Sequence, residues 1–252
     1  MKKKNSMAKW PFVFVGPFVV TYALFYLYPM LFSFWISMTD WTGLNIDHKN
    51  FIGLSNYVKV FTDDPMFWKS IWNTFRIMII AMPLTITAGL LMAVLMFHII
   101  KCRQLVQTIN FLPYITMPVA IGLIFANMFN KNIGVVNMLL TKTGLLNEKI
   151  NWLGDSRYAF IVVILMCMWK NFGYFMVIYL SGLSTISGEY YDAAKVDGAN
   201  AVQRFFKITL PLLRPITVFV LVQGAIGGFQ LFDEAKNLVS GTGSTIVGGP
   251  GR

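Results

Sequence analysis

Polar side chains interrupt the long apolar runs of this sequence at Lys170, Asn171, Gln223, Gln230 and Asp233. Burying such a group costs on the order of 1 to 3 kcal/mol unless it is paired or in contact with water. Lys170 suits a structural pairing with a carboxylate or with carbonyl groups as well as it suits a path for a polar solute. Gln223 and Gln230 are seven residues apart and therefore lie near one face of a helix. They either line the same path or link neighbouring helices.

Motifs for catalysis and for nucleotide hydrolysis are absent from the sequence. No G-x-x-x-x-G-K-[ST] phosphate-binding loop is present, so we do not expect the chain to bind and hydrolyse ATP by itself. His48 is expected in a loop and His98 at the cytoplasmic end of a span, too far apart to form a ligand pair. Cys102 and Cys167 form no metal-ligand pattern. Cys167 fits a small apolar filler better than a catalytic or redox cysteine. The sequence therefore predicts neither catalytic residues nor a metal site.

The elements that must position these residues are membrane-spanning helices. Apolar residues make up 56% of the 252 residues and charged residues 13%. The apolar runs are continuous over the roughly 20 residues that a helix needs to cross a bilayer, whereas a barrel would show shorter alternating segments. We expect an all-α polytopic membrane protein. Its spans are predicted at residues 10–38, 71–99, 105–128, 158–183 and 212–232.

Proline and glycine inside these spans indicate local kinks and close helix packing. They are Pro17, Pro29, Pro83, Gly89, Pro113, Pro118, Gly122 and Gly173.

The positive charge of the chain indicates its orientation. The formal net charge is +10, but the basic residues are scattered among short loops and do not form a nucleic-acid surface. They are densest in residues 1–9, in the loop after the second span and in residues 186–211, which five spans place on one side. The positive-inside rule makes that side cytoplasmic, and so the N-terminus too. The loops at 39–70 and 130–157 are expected to face outward.

Residues 186–211 form a charged, amphipathic stretch between two apolar runs. Ser187 is predicted to cap a first helix that ends near Val196, and Gly198 permits a sharp turn. A second helix is predicted to begin near Ala201 and to continue to the proline that precedes the next span. Composition alone favours an interfacial helix that merely joins two spans.

The spacing in this stretch resembles the EAA loop of permeases from binding-protein-dependent ATP-binding-cassette (ABC) importers. Ala193, Ala194 and Gly198 match that loop, and Asp192 stands where the family usually has Glu. Further stretches resemble the carbohydrate branch of the family, which includes maltose-type, multiple-sugar and glycerol-phosphate permeases. They are FIGLSNYVKVF, FWKSIWNTF, FLPYITMPVAIGLIFANMFN, INWLGD and GGFQLFDE. The chain is identified as a member of that branch.

The resemblance implies that the loop sits in a cleft of an ATPase subunit and carries its motion into the membrane. The residues implied in this coupling are Glu189, Asp192, Ala193, Ala194, Asp197, Gly198, Ile208, Leu210 and Pro211.

The resemblance also places the middle of the fourth span on the translocation path, where aromatic faces and amide or hydroxyl groups suit the surfaces of a sugar. The path residues proposed are Lys170, Asn171, Tyr174, Phe175, Tyr179, Gln223 and Gln230.

The fold implied is the helical bundle of MetI-like ABC importer permeases. Residues 1–9 would be a basic cytoplasmic N-terminus and residues 10–252 the permease domain. Within it, residues 186–211 would be the cytoplasmic coupling loop and residues 233–252 an outward glycine-rich segment. Members of the branch typically have a sixth span after a loop that resembles the GGPG near this C-terminus. This chain ends at Arg252, and a truncated form is favoured over a five-span variant.

The partners implied are a second related permease in a heterodimer, ATPase subunits that hold ATP and Mg²⁺, and an external sugar-binding protein, all at a cell membrane. No cofactor and no nucleic acid are expected for this chain. The alternative function is a self-sufficient channel or an ion-coupled secondary transporter. That alternative would predict inverted repeats and midplane carboxylates, but we find no repeat and the acidic residues avoid the span centres. A membrane-embedded enzyme, a third possibility, lacks a convergent acid, base or metal motif.

Overall fold

The computed structural model describes residues 10–43, 50–98 and 103–240. His48, Cys102, the basic residues 1–9 and the glycine-rich stretch after residue 240 lie outside these ranges. Within the described ranges the chain forms helices and no strand beyond an isolated antiparallel bridge between Thr39 and Phe51. The all-α prediction is therefore confirmed.

The helices follow one another closely along the chain. In chain order the described α-helices are α1 (Trp10–Tyr22), α2 (Tyr28–Ser37), α3 (Ser55–Thr62), α4 (Pro65–His98), α5 (Arg103–Ile115), α6 (Pro118–Met128), α7 (Val135–Lys142), α8 (Ser156–Ser184), α9 (Gly188–Val196), α10 (Ala201–Arg204), α11 (Leu210–Leu212), α12 (Arg214–Phe229) and α13 (Asp233–Ser240). Two π-helical turns, Ala23–Leu27 and Phe205–Thr209, join α1 to α2 and α10 to α11.

The chain divides into two compact units, Met1–Lys69 and Ser70–Arg252. In the first unit, α1 and α2 form a nearly continuous apolar helix. The π-helical turn comes just before Pro29, whose missing N–H interrupts the regular α-helical ladder. The Asn56 side chain on α3 donates to the carbonyls of Ser37 and Thr39, both at 2.9 Å, and so fastens α3 to the end of α2.

The number of possible spans agrees with the prediction. Three helical stretches are long and apolar enough to cross a membrane, and two bent helix pairs raise the possible number to five. The straight stretches are Phe12–Ser37, Pro65–Phe97 and Ser156–Ser184, and the bent pairs are α5 with α6 and α10–α11 with α12.

The third predicted span differs from a continuous helix. Between α5 and α6 the chain bends by 97°. Pro118 occupies the first turn of α6, where its missing N–H costs nothing, and the preceding Met117 is extended with ψ 130°. A proline kink was predicted inside the span at residues 105–128, and the bend at Pro118 is far sharper than a kink, because the residue before a proline disfavours the helical conformation.

Helix α8 lies at the centre of the second unit. One buried apolar cluster joins it to α4 and α12 and includes Met96, Leu183 and Val220. A second cluster joins the first half of α8 to α6 and α13 and includes Ile121 and Leu238.

Glycines allow two of these helix pairs to approach closely, as the sequence predicted. A Cβ at Gly173 on α8 would overlap the backbone carbonyl of Asn110 on α5. A Cβ at Gly122 on α6 would lie 2.8 Å from the Glu234 carbonyl oxygen on α13. Neither position has room for a side chain, so the backbone of α8 packs directly against α5 and the backbone of α6 packs directly against α13.

The last described helix, α13, begins where a glycine-rich segment was predicted. Asp233 and Glu234 occupy its first turn, where the helix dipole favours negative charge. Ala235 and Leu238 are buried, and α13 packs along α6. Residues 233–240 of the predicted segment thus form a helix that packs on α6, and the remainder of that segment lies outside the described residues.

Candidate functional site

The second unit contains a half-open cavity of about 350 Å³ between α4, α5, α6, α8, α12 and α13. Six of the seven predicted path residues line it, although they come from two helices that are well separated in sequence. They are Lys170, Asn171, Tyr174, Phe175, Gln223 and Gln230. The structure therefore brings the polar residues of the fourth and fifth predicted spans to one site.

Tyr179 is the predicted path residue that does not line the cavity. Its side chain is fully buried between α8 and α12, and its hydroxyl donates to Thr217 at 3.2 Å. This residue lies about one helical turn beyond Phe175, inside the apolar cluster that holds α8 against α12. Its contacts are those of a packing residue.

An ion pair forms part of the cavity wall. The Lys170 ammonium on α8 donates to the Glu234 carboxylate on α13. The two side chains are only 16% and 8% exposed. Lys170 therefore satisfies both interpretations that the sequence allowed, because it is paired with a carboxylate and it also lines the cavity.

Glu234 was not predicted from the sequence, because its partner Lys170 is 64 residues away. The residue types could have predicted this pair. A lysine inside a span needs a carboxylate partner, and the stretch GGFQLFDE supplies a carboxylate next to the fifth predicted span.

Two tyrosines that line the cavity stack on each other. The rings of Tyr114 on α5 and Tyr174 on α8 stack with centroids 4.2 Å apart and an interplanar angle of 7°. Tyr114 was also missed from the sequence, where nothing distinguishes it from the other aromatic residues of its span. Stacked rings with hydroxyl groups at their edges combine an apolar face with hydrogen-bonding capacity.

Amide side chains supply the other polar groups of the cavity. The Asn171 amide donates to the carbonyl of Cys167 at 2.8 Å, which leaves its oxygen available as an acceptor. Gln223 is half-buried and Gln230 is exposed, and both line the cavity from the α12 side. The cavity thus combines neutral donors and acceptors, aromatic rings, the Lys170–Glu234 ion pair and the Asp233 carboxylate.

The predicted coupling loop forms two helical arms joined by a turn. Ser187 caps α9 by accepting from the Glu189 N–H at 3.3 Å, as predicted. The turn lies at Gly198, whose φ of +76° is a left-handed conformation that favours glycine. Its N–H donates to the Lys195 carbonyl at 3.0 Å, and the next N–H donates to the Ala194 carbonyl at 2.8 Å. These bonds close the end of α9.

The second arm starts with a capping box. The side chains of Asn200 and Gln203 each accept from the other's backbone N–H, at 2.8 and 2.9 Å. The arm continues as a helix to Leu212, slightly beyond the predicted end at Pro211, and then bends by 66° into α12.

A buried hydrogen bond joins the two arms of the loop. It links the Tyr191 hydroxyl on α9 to the Thr209 hydroxyl on the second arm at 3.0 Å. Because both side chains are buried, the bond is protected from water and the arms are held as one body.

The outer surface of the loop is exposed and mixed in character. Asp192 is exposed and accepts a hydrogen bond from the Lys195 ammonium at 2.8 Å, which lowers the pKa of its carboxyl group. Apolar side chains also face outward, with Val196 88% and Phe206 60% exposed. Of the predicted coupling residues on the second arm, Ile208 and Leu210 are half-buried and Pro211 is exposed.

The family "Binding-protein-dependent transport system inner membrane component" matches residues 85–249. This chain belongs to that family. It is therefore a permease of the inner-membrane type, and the recognition made from the EAA loop and the carbohydrate-branch stretches is confirmed.

Named relatives match the permease over most of its length. The lactose transport system permease protein LacF of Rhizobium radiobacter is 35% identical over 96% of this chain and 80% of that protein. The probable ABC transporter permease protein YesP of Bacillus subtilis is 36% identical over 98% of this chain and 80% of that protein. The arabinooligosaccharides transport system permease protein AraP of the same organism is 31% identical, over 94% and 76%.

A solved structure shows the same fold. The crystal structure of a bacterial ABC transporter involved in the import of alginate matches with a TM-score of 0.74 at 22% identity. The match covers 95% of this chain and 84% of that chain. The permease therefore has the helical architecture of MetI-like ABC importer subunits.

Proposed function

We propose that this permease is the membrane-spanning subunit of an ABC importer and that it translocates a sugar delivered by an external binding protein. The observation that carries the proposal is the cavity in the second unit. Its stacked Tyr114 and Tyr174 rings offer an apolar face, and the Asn171, Gln223 and Gln230 amides offer hydrogen bonds to hydroxyl groups. The relatives named for lactose and for arabinooligosaccharides support a sugar as the substrate.

The energy is proposed to come from partner ATPase subunits, since this chain contains no phosphate-binding loop. They hold ATP and Mg²⁺ and bind residues 186–211 on the cytoplasmic side. A second permease completes the pathway as the other half of a heterodimer. One relative in structure was solved with a substrate-bound periplasmic protein, which supports an external binding protein as a further partner.

The coupling loop is well placed to move the cavity walls. Its two arms are tied by the Tyr191–Thr209 hydrogen bond, and its second arm leads directly into α12. At the junction, Leu213 is fully buried in the cluster that holds α12 against α8. Closure of the ATPases would displace the loop as one body and shift α12 against α8, the two helices that carry most of the cavity's polar groups.

The test is whether the permease retains an ATPase through purification and performs ATP-dependent uptake. The permease is co-expressed with the ATPase and second permease encoded beside it, and the complex is reconstituted into liposomes with the binding protein. We expect co-purification and ATP-dependent sugar uptake from the native chain.

The decisive variant is Gly198→Val, because a β-branched residue is strained at a φ of +76° and the turn between the arms would be distorted. Retention of the ATPase should fall at least roughly tenfold, a loss that corresponds to about 1.4 kcal/mol. The matched control is Gly188→Val, since Gly188 lies in the same loop without positive φ and with open space around it. Uptake that persists without any ATPase would instead support the self-sufficient transporter.

A further inference from the structure

We infer that the cavity selects uncharged sugars and that Glu234 sets this specificity by neutralising Lys170. The inference rests on the proposed function, since it names the class of sugar that the same cavity accepts. It concerns a residue that the sequence did not single out and a contact that only the folded chain creates.

The charges that line the cavity are few. Among the described lining residues, Lys170 is the only cation, and the anions are Asp233 and Glu234. The Lys170 ammonium is engaged by Glu234, which leaves the Asp233 carboxylate as the uncompensated charge. The lining therefore carries a net formal charge of −1, the sum of one cation and two anions. An anionic solute entering it finds no free cation.

The position of Glu234 is fixed by backbone packing. Its carbonyl oxygen would lie 2.8 Å from a Cβ at Gly122, so the first turn of α13 rests directly on α6. The neighbouring Ala235 and the more distant Leu238 are 8% and 0% exposed. This packing fixes the backbone from which the Glu234 carboxylate reaches Lys170.

A buried ion pair of this kind is weak evidence for stability, because desolvation offsets much of the attraction. Its clearer effect here is on binding. A carboxylate on a sugar would lose its water on entering the cavity without gaining a free ammonium partner, and it would approach Asp233. A neutral sugar loses less on desolvation and can use the tyrosine faces and the amides. Removing Glu234 would release the ammonium and make an anion acceptable.

The experiment uses the assembled importer in liposomes. A panel of neutral oligosaccharides first identifies a sugar that is taken up with ATP. The probe is then the uronate of that sugar, in which a C6 hydroxymethyl group is replaced by a carboxylate. The uronate is supplied on the cytoplasmic side, where the binding protein cannot select against it. Its inhibition of neutral-sugar uptake is then compared with the inhibition caused by the neutral sugar on the same side.

We expect the uronate to inhibit the native importer far more weakly than the neutral sugar does. In Glu234→Gln, which keeps an oxygen that can accept from Lys170, the half-inhibitory concentration of the uronate should fall by roughly tenfold or more. Asp233→Asn is the matched control, because it removes one negative charge from the lining and leaves the ion pair intact. It should change uronate inhibition much less than Glu234→Gln does.

The double variant Lys170→Met/Glu234→Gln tests whether the released ammonium is the cause. Uronate inhibition should be lost again, since the cation is gone. The inference is overturned if the native importer is inhibited equally by both sugars, if Glu234→Gln and Asp233→Asn respond alike, or if the double variant still responds to the uronate. Failure of the native importer to take up any sugar would overturn the proposed function instead, which separates the two conclusions.

Discussion

The contact at Gly173 shows how a single residue fixes the spacing of two membrane helices. Its Cα faces the Asn110 carbonyl so closely that a methyl group would overlap it. That carbonyl belongs to α5, one turn before Tyr114, whose ring stacks on Tyr174. The same close approach therefore brings the two tyrosines together on the cavity wall.

Gly173→Ala should destabilise the permease by about 3 kcal/mol or more, because the obstructing atom is backbone and cannot move aside as a flexible side chain would. The measurement is thermal unfolding of the purified protein in detergent, followed by tryptophan fluorescence or by loss of the folded elution peak. The control is Gly227→Ala, another glycine inside a membrane helix, where a Cβ meets nothing within 4 Å. Its apparent Tm should stay the same or rise, since alanine is the better helix former. Equal losses in the two variants would show that α5 and α8 are not held by this contact.

Individual residues were predictable from the sequence when their role was local. Ser187 predicted a helix cap and Gly198 predicted a turn. Both predictions were possible because helix capping and a left-handed backbone conformation depend on the types of neighbouring residues. Glu234 and Tyr114 were missed because their roles depend on which helices meet. Lys170 was predictable in part. A lysine inside a span needs a carboxylate partner, but the sequence does not show which of its carboxylates lies close to Lys170 in the fold.

The loop between α6 and α8, which is predicted to face outward, owes its shape to one amide side chain. Asn137 on α7 is 1% exposed and makes four hydrogen bonds. Its nitrogen donates to the carbonyls of Lys131 and Ile150, and its oxygen accepts from the Ile150 N–H and from the Trp152 indole. One side chain thus ties both ends of the loop to α7.

Asn137→Ala should cost about 2 to 4 kcal/mol, because it leaves several buried polar groups without partners. The loop should open before the membrane helices do, so trypsin cleavage after Lys142 and Lys149 should accelerate while the rest of the bundle stays intact. Asn132→Ala is the comparison, since Asn132 lies in the same loop with an exposed side chain. Unchanged cleavage of the Asn137 variant would mean that other contacts hold the loop.

Helices, like single residues, were predictable from the sequence where their signals are local. The long apolar helices α4 and α8 and the helix α9 were predicted because their signals are contained in their own sequence. The break between α5 and α6 was present as Thr-Met-Pro, but an apolar run around a proline is also typical of a kinked span, so the 97° bend needed the structure. Helix α13 is short and polar, and it is stable because it packs on α6, which no local pattern records.

The proposed coupling requires the whole molecule to be oriented so that residues 186–211 face the cytoplasm, where an ATPase can bind them. The density of Lys and Arg predicts that residues 186–211 and the loop before α5 face the cytoplasm and that residues 130–157 face outward. Two exposed positions in the second unit lie on opposite sides in this orientation. Leu145 is 73% exposed in the outward loop, and Gln104 is exposed at the start of α5.

A cysteine at each of these positions reports the orientation directly. In a background with Cys102→Ser and Cys167→Ser, a membrane-impermeant maleimide should label Leu145→Cys in sealed right-side-out vesicles and leave Gln104→Cys unlabelled. Inverted vesicles should give the opposite pattern, and detergent should expose both. The measurement is the extent of labelling on a gel. The reverse result in right-side-out vesicles would place residues 186–211 outside the cell, where no ATP is available, and would contradict both the predicted orientation and the proposed coupling to cytoplasmic ATPases.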